Sequence, residues 1–276
     1  MQIDSHVHFW QLGRHDCAWP PPELGSIHRD FLPDDWWHAA QASGMNAAIV
    51  VQSQPSERDT AWLLDLAAGD ARIAGVVGWS DLAARDAPER VTALAAQPKL
   101  RGLRPMLQDL LDDDWVLQPT LAPAIESMVA HALCFDALVY PRHLPYLLRF
   151  AERHPDLKII IDHAAKPDIA RGTLGSWRRD IAAMAGLPHV FCKLSGLLTE
   201  AGDDWHARDV APFVDHLMAT FGPWRLLWGS DWPVVNLAAD YAHWFALADE
   251  LTHLHRAERV ALFGANAARV YGIEDY

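Results

Sequence analysis

Cysteine is scarce. The 276 residues hold three, Cys17, Cys134 and Cys192, an odd number at wide spacing. They form no C-x-x-C pair and no zinc ribbon, as expected in a reducing compartment, and a chain of this length can bury a core without disulfide staples. No apolar run approaches the roughly 20 residues needed to cross a bilayer. The opening MQIDSHVHFW lacks a basic leader followed by an apolar stretch, so it does not read as a secretory signal. Positive charge is also short. With 23 Lys and Arg against 36 Asp and Glu, the formal charge is −13. Nucleic acid and anionic membrane are therefore poor partners, and a soluble cytoplasmic protein acting on a small molecule is the expectation. Oligomeric state is not legible.

Other absences narrow the fold. No Gly/Ser-rich or Pro-rich linker divides the chain, so residues 1–276 read as a single domain. No G-x-G-x-x-G follows the first strand and no G-x-x-x-x-G-K-[ST] occurs, which argues against dinucleotide and P-loop folds. Ser53, Ser195 and Ser230 lack a G-x-S-x-G setting, so a serine-nucleophile elbow is unsupported.

What is present is alternation. Short β-branched runs at 2–6, 47–52, 73–79, 100–104, 133–139, 158–162, 190–194 and 226–230 predict strands. Between and after them, helical periodicity marks 34–42, 58–67, 81–96, 119–130, 144–154, 177–185, 210–221 and 241–253. Eight such units predict a parallel sheet with helical crossovers. Ile159-Ile160-Ile161 and Ala48-Ile49-Val50-Val51 are apolar on both faces, as a helix-covered parallel sheet requires. The length suits one closed α/β structure, a (β/α)8 TIM barrel, whose chemistry belongs at strand C-termini. Residues 11–33 form a long irregular loop after the first strand, and loops of that length are usually functional.

The strand ends carry the expected chemistry. His6 and His8 are two apart at the end of strand one, so alternation points both into the barrel mouth, with Asp4 one step deeper on that face and Ile3, Ser5 and Val7 outward. His163 follows strand six and Asp231 follows strand eight. Closing a barrel makes strands one and eight neighbours, so His6, His8 and Asp231 converge with His163 facing them. Arg104 and Tyr140 stand at or just past strand ends, and His28, Gln52, Lys166 and Asn236 are further groups able to hydrogen-bond a polyhydroxylated ligand. Lys166 precedes Pro167 and is expected to be extended. Trp10, Trp19, Trp79 and Trp232 fall in or near the mouth, where an aromatic face can stack on a sugar ring. The acidic runs Asp112-Asp113-Asp114 and Asp203-Asp204 read as solvated loops.

His6-Val7-His8, the His163-x-x-Lys166-Pro167 stretch, Gly229-Ser230-Asp231-Trp232-Pro233 and the tail Phe263-Gly264-Ala265-Asn266-Ala267-Ala268-Arg269-Val270-Tyr271 together resemble the amidohydrolase superfamily, in its sugar-acid lactonase branch. The resemblance spans residues 6–271. It implies a barrel in which Asp231 is the general base on water and His6, His8 and His163 polarise the carbonyl or hold a metal. The implied substrate is a sugar lactone, L-fuconolactone or a similar deoxyaldonolactone. The chain departs from binuclear members, because its fourth strand ends in Leu100-Arg101-Gly102-Leu103-Arg104 and offers no bridging lysine or glutamate. One zinc on His6, His8 and Asp231, with or without His163, is chemically reasonable and is not required. Lactones are activated esters that need only a base on water and a stabilised oxyanion. Three alternatives stay open: a pyrone-dicarboxylate-type lactonase, a metal-dependent decarboxylase on the same barrel, and a sugar-binding barrel without catalysis.

Overall fold

Eight strands run in chain order through one sheet in the computed structural model, which describes residues 2–14 and 16–273. They are β1 (Ile3–Val7), β2 (Ala47–Val51), β3 (Ile73–Gly78), β4 (Leu100–Leu103), β5 (Cys134–Ala137), β6 (Ile159–Ile161), β7 (Val190–Leu194) and β8 (Leu226–Trp228). Each lies within two residues of its predicted bounds, and all seven consecutive pairs are parallel. The segment after β8 closes the ring. Asp231 N–H donates to the His6 carbonyl (2.9 Å), and His8 N–H donates to the Trp232 carbonyl (2.7 Å).

Helices α1 (Pro33–Ala40), α2 (Glu57–Gly69), α3 (Ala87–Ala95), α4 (Ala122–Ala130), α5 (Leu144–Arg153), α6 (Gly175–Ala185), α7 (Ala207–Phe221) and α8 (Tyr241–Thr252) cover the sheet. The third is shorter than its periodicity predicts, because residues 81–86 form turns before Pro88 sets the first helical turn. Two short helices lie beyond the predicted set, α9 (Arg256–Val260) and α10 (Asn266–Tyr271). This is a (β/α)8 barrel.

The apolar residues divide into two layers. Outward strand residues such as Val50, Val76, Ile159 and Ile161 pack with Trp36, Leu63, Val91 and Leu147 of the helices. Inward residues Ile3, Ile49, Val51, Ile160 and Leu227 pack with Ala267, Val270 and Tyr271 of α10, which plugs one end of the barrel. Above that apolar layer the inward positions become charged, with Asp136 on β5, Lys193 on β7 and Asp162 just past β6, all fully buried.

The expected facing of β1 is corrected here. Asp4 pairs with Ala48 but Val7 with Val50, so three steps on β1 oppose two on β2. This bulge inserts a residue and switches faces. Ile3 points inward, and the Asp4 carboxylate accepts from the Tyr241 hydroxyl of α8 at 2.8 Å and from Ser230 N–H at 2.9 Å. Asp4 is therefore a brace between β1, the β8 turn and α8. Burial pushes its carboxyl up to about 6 against those hydrogen bonds.

Candidate active site

Asp231 sits where the chain leaves β8, in a left-handed turn (φ 58°) that aims its carboxylate at three imidazoles. One oxygen, Oδ1, lies 3.3 Å from His8 Nε2, 3.7 Å from His6 Nε2 and 3.8 Å from His163 Nε2. It is buried and accepts no hydrogen bond among the described residues. Burial alone would push this carboxyl up. The surrounding imidazoles of His163, His8 and His6 instead hold it well below the ordinary carboxylate range, so it is anionic at neutral pH.

His163 opens a run of four left-handed residues, His163 to Ala165 and Lys166, with φ from 49° to 62°. Side-chain-bearing residues adopt this region at a cost of roughly 1 kcal/mol each, and such strain is usually kept where a site needs it. Lys166 is thus not extended, contrary to the pre-proline expectation. Its N–H closes a turn onto the His163 carbonyl at 2.8 Å. Proline disfavours the right-handed helical region for its predecessor, and Lys166 avoids that clash through the left-handed region instead. The ring of His163 lies on Gly196, where an added Cβ would come within 2.5 Å of Nδ1. Ser195 Oγ is 2.9 Å from that Nδ1. The hydroxyl has no other partner among the described residues, so it donates to Nδ1 and leaves the ring proton on Nε2, facing Asp231. Burial pushes the His163 imidazole down to about 4, so at pH 7 it is a neutral N–H donor.

A cavity of about 380 Å³ opens above these groups, within the range for small-molecule sites. His8, His163, Asp231, Arg104 and Lys166 line its polar side, joined by Gln54, Gln108 and Asp109. Trp19, Met106, Leu138 and Val234 line its apolar side. His6 lies beneath this lining, fully buried. Arg104 is anchored by its Nη1 donating to Asp162 at 3.2 Å and its Nη2 donating to the Gln52 carbonyl.

The other predicted ligand groups lie elsewhere. Gln52 is buried behind the wall and donates to the Arg104 carbonyl at 2.9 Å, so it holds Arg104. Tyr140 is outside the lining, with the Arg142 guanidinium 4.8 Å and the Lys166 ammonium 5.5 Å from its ring centre. His28 is tied to the Pro20 carbonyl at 2.9 Å. Asn236 lines a separate surface cavity with Arg29, Trp232 and Tyr241. Of the tryptophans, only Trp19 reaches the site cavity. Trp10 and Trp232 are buried edge-to-face against Phe31.

Several groups at the site escaped the sequence reading. Gln54 accepts from the Ala18 and Trp19 N–H groups and donates to the Trp19 carbonyl at 2.7 Å, clamping the long loop over the mouth. Lys193, Asp136 and Asp162 form a buried charged cluster under His6. The one available signal was a single charge within each of two apolar strands, Val190-Phe191-Cys192-Lys193-Leu194 and Cys134-Phe135-Asp136-Ala137.

Comparison with known proteins decides the family. The amidohydrolase family model matches residues 3–273. The chain belongs to the amidohydrolase family. It is 49% identical to an L-fucono-1,5-lactonase of Burkholderia ambifaria over 99% of this chain and 96% of that one. It is 40% identical to an L-fucono-1,5-lactonase of Burkholderia multivorans over 100% and 97%. Among solved structures, an amidohydrolase from Burkholderia multivorans with bound zinc superposes with a TM-score of 0.93 at 40% identity, covering 99% of this chain and 100% of that one.

The donor set of this amidohydrolase fits a zinc ion. Ligand atoms of His6, His163 and Asp231 lie within 4.8 Å of one another, and the orphaned Asp231 oxygen faces the group. Imidazole and carboxylate are ordinary zinc donors. His163 belongs to this group, and His8 Nε2 of the expected set stands beside it, 3.1 Å from His6 Nε2 and 3.3 Å from Asp231 Oδ1. No helix among the described residues is long and apolar enough to cross a membrane.

Proposed function

We propose that this amidohydrolase opens the lactone ring of a sugar acid, L-fucono-1,5-lactone or a similar deoxyaldonolactone, by base-catalysed attack of water. The observation that carries this reading is a buried Asp231 carboxylate oxygen among three imidazoles in the lining of a cavity of ligand size. The full-length relatives named as L-fucono-1,5-lactonases support the substrate class. The cavity supports it independently. One side offers amide, carboxylate and ammonium groups for ring hydroxyls, and the other offers Trp19, Met106, Leu138 and Val234 for a deoxy carbon.

Water held by Asp231 gives up a proton to the carboxylate as its oxygen attacks the lactone carbonyl carbon. Negative charge moves onto the carbonyl oxygen, which the Nε2–H of His163 and the Arg104 guanidinium stabilise. Such donors are worth about 3 kcal/mol each when preset in a low-dielectric site. Collapse breaks the bond to the ring oxygen, and protonated Asp231 returns its proton to that leaving oxygen. The product is an open hydroxy acid, which ionises. His6, His163 and Asp231 would hold a zinc ion when one is bound, and it would act as a Lewis acid toward the carbonyl; the reading does not require it.

A pyrone dicarboxylate fits less well. It calls for two cationic clamps, whereas the lining sets the negative charges of Asp109 and Asp231 against its two cations, Arg104 and Lys166. The test is a panel of aldonolactones followed by acid release with a pH indicator, with and without chelator. L-fucono-1,5-lactone should be opened, and Asp231→Asn should lower kcat at least 1,000-fold in a folded protein. No acid from any sugar lactone, or a wild-type rate in Asp231→Asn, overturns the reading.

A further inference from the structure

Lys193 is a fully buried lysine with three acceptors around its ammonium: Asp136 Oδ2 at 2.6 Å, Asp162 Oδ1 at 3.0 Å and His6 Nδ1 at 3.1 Å. An ammonium has N–H bonds and no lone pair, so it donates to Asp136 Oδ2 and to His6 Nδ1, and His6 Nδ1 must be the unprotonated nitrogen; the Asp162 Oδ1 contact is an ion pair, and that oxygen accepts no hydrogen bond among the described residues. The neutral ring then carries its proton on Nε2. His8 Nδ1 is 2.7 Å from the Val51 carbonyl, which can only accept, so that nitrogen carries a proton. His8 Nε2 lies 3.1 Å from His6 Nε2 and 3.3 Å from Asp231 Oδ1. Hydrogen bonds thus run from Lys193 to His6 Nδ1 and from His8 Nδ1 to Val51. The opposite tautomer would rest on two longer contacts, His6 Nδ1 to Asp162 Oδ1 and Arg104 Nη1 to His6 Nε2, each 3.4 Å.

We propose that Lys193 is a positioning residue that holds His6 as its Nε2–H tautomer and thereby opposes metal ligation at His6. A metal on Nε2 needs that proton moved to Nδ1, where Lys193 already donates. Loading the site must therefore break the Lys193 contact inside a dry cluster, and an unpaired buried ammonium N–H is costly. The same arrangement keeps the His6 proton on Nε2, the nitrogen that faces His8 and Asp231.

Two measurements test this, and neither is turnover, so failure here is distinguishable from failure of the lactonase reading. The first is two-bond nitrogen–proton NMR on chelator-treated, ¹⁵N-histidine-labelled protein, with His6 assigned by the signal missing in His6→Gln. A bare Nδ1 and protonated Nε2 are expected; a protonated Nδ1 overturns the proposal. The second is Zn²⁺ affinity, read by competition with a chromophoric chelator. Lys193→Met leaves the Asp136 charge without a cation, so the charge-balanced Lys193→Met/Asp136→Asn protein is measured alongside it. Either folded variant should bind Zn²⁺ at least tenfold more tightly than wild type. Unchanged or weaker binding in the folded double variant overturns the proposal, and the wild-type spectrum decides the tautomer whether or not the variants fold.

Discussion

Asp59 shows how one buried group ties this barrel to pH. It stands in the first turn of α2, with one carboxylate oxygen buried and lacking a partner. Burial pushes its carboxyl up to about 6, despite donation from the backbone N–H groups of Gln54 and Ser53. An unfolded aspartate titrates near 4. Between about 4 and 6 the folded chain holds a proton that the unfolded chain has released, so the slope of stability against pH is negative there. The contribution is full below about 4 and lost as pH rises through about 6. Asp59→Asn keeps an oxygen for the backbone donors and removes the charge. It should raise stability at pH 8 by about 2 kcal/mol and flatten the slope between pH 4 and 6, measured by urea denaturation. A destabilised variant at pH 8, or an unchanged slope, refutes the assignment.

At the scale of elements, the loop between β1 and α1 closes the site without secondary structure of its own. Trp10 and Phe31 exchange backbone hydrogen bonds at its base (3.1 and 3.0 Å), Trp10 Nε1 donates to the Arg29 carbonyl, and Gln54 holds its crest. Because Gln54 follows β2, the wall on which Trp19 stands is fixed from a neighbouring strand. Gln54→Ala removes all three contacts and should raise KM about tenfold with kcat changed less than threefold, since the loop shapes binding and not the reacting groups. Limited proteolysis within 11–30 should accelerate in parallel. An unchanged KM refutes the clamp. The bulge in β1 is the matching device on the inside. Without its extra step, alternation would give Ile3 and His6 opposite faces; with it, both point into the barrel.

For the whole molecule, the tail helix is part of the barrel interior. Tyr271 donates to Asp136 at 2.7 Å, Lys158 Nζ donates to the Val270 carbonyl at 3.0 Å, and Asn266 Nδ2 donates to the Pro223 and Leu226 carbonyls, both at 2.7 Å. The tail thus seals the apolar layer and supports the charged layer under His6. We expect the chain to unfold in one cooperative step, with near- and far-ultraviolet circular dichroism transitions coinciding. Ending it after Gly264 should abolish that cooperativity and expose dye-binding apolar surface. A truncated chain with coincident transitions and an unaltered midpoint refutes the role of α10.

The sequence by itself determined the alternation of strands and helices and the placing of His6, His8, His163 and Asp231 at strand ends. Those features follow from hydrophobic periods and turn residues that act over a few neighbours. Only the tertiary structure decided that Asp4 braces α8, that Gln52 holds Arg104 and that Asn236 serves another cavity. Only it decided that Lys193 stands under His6. Side-chain facing past a bulge depends on pairing with the next strand, and a buried charge is settled by partners dozens of positions away, so neither is encoded in local pattern.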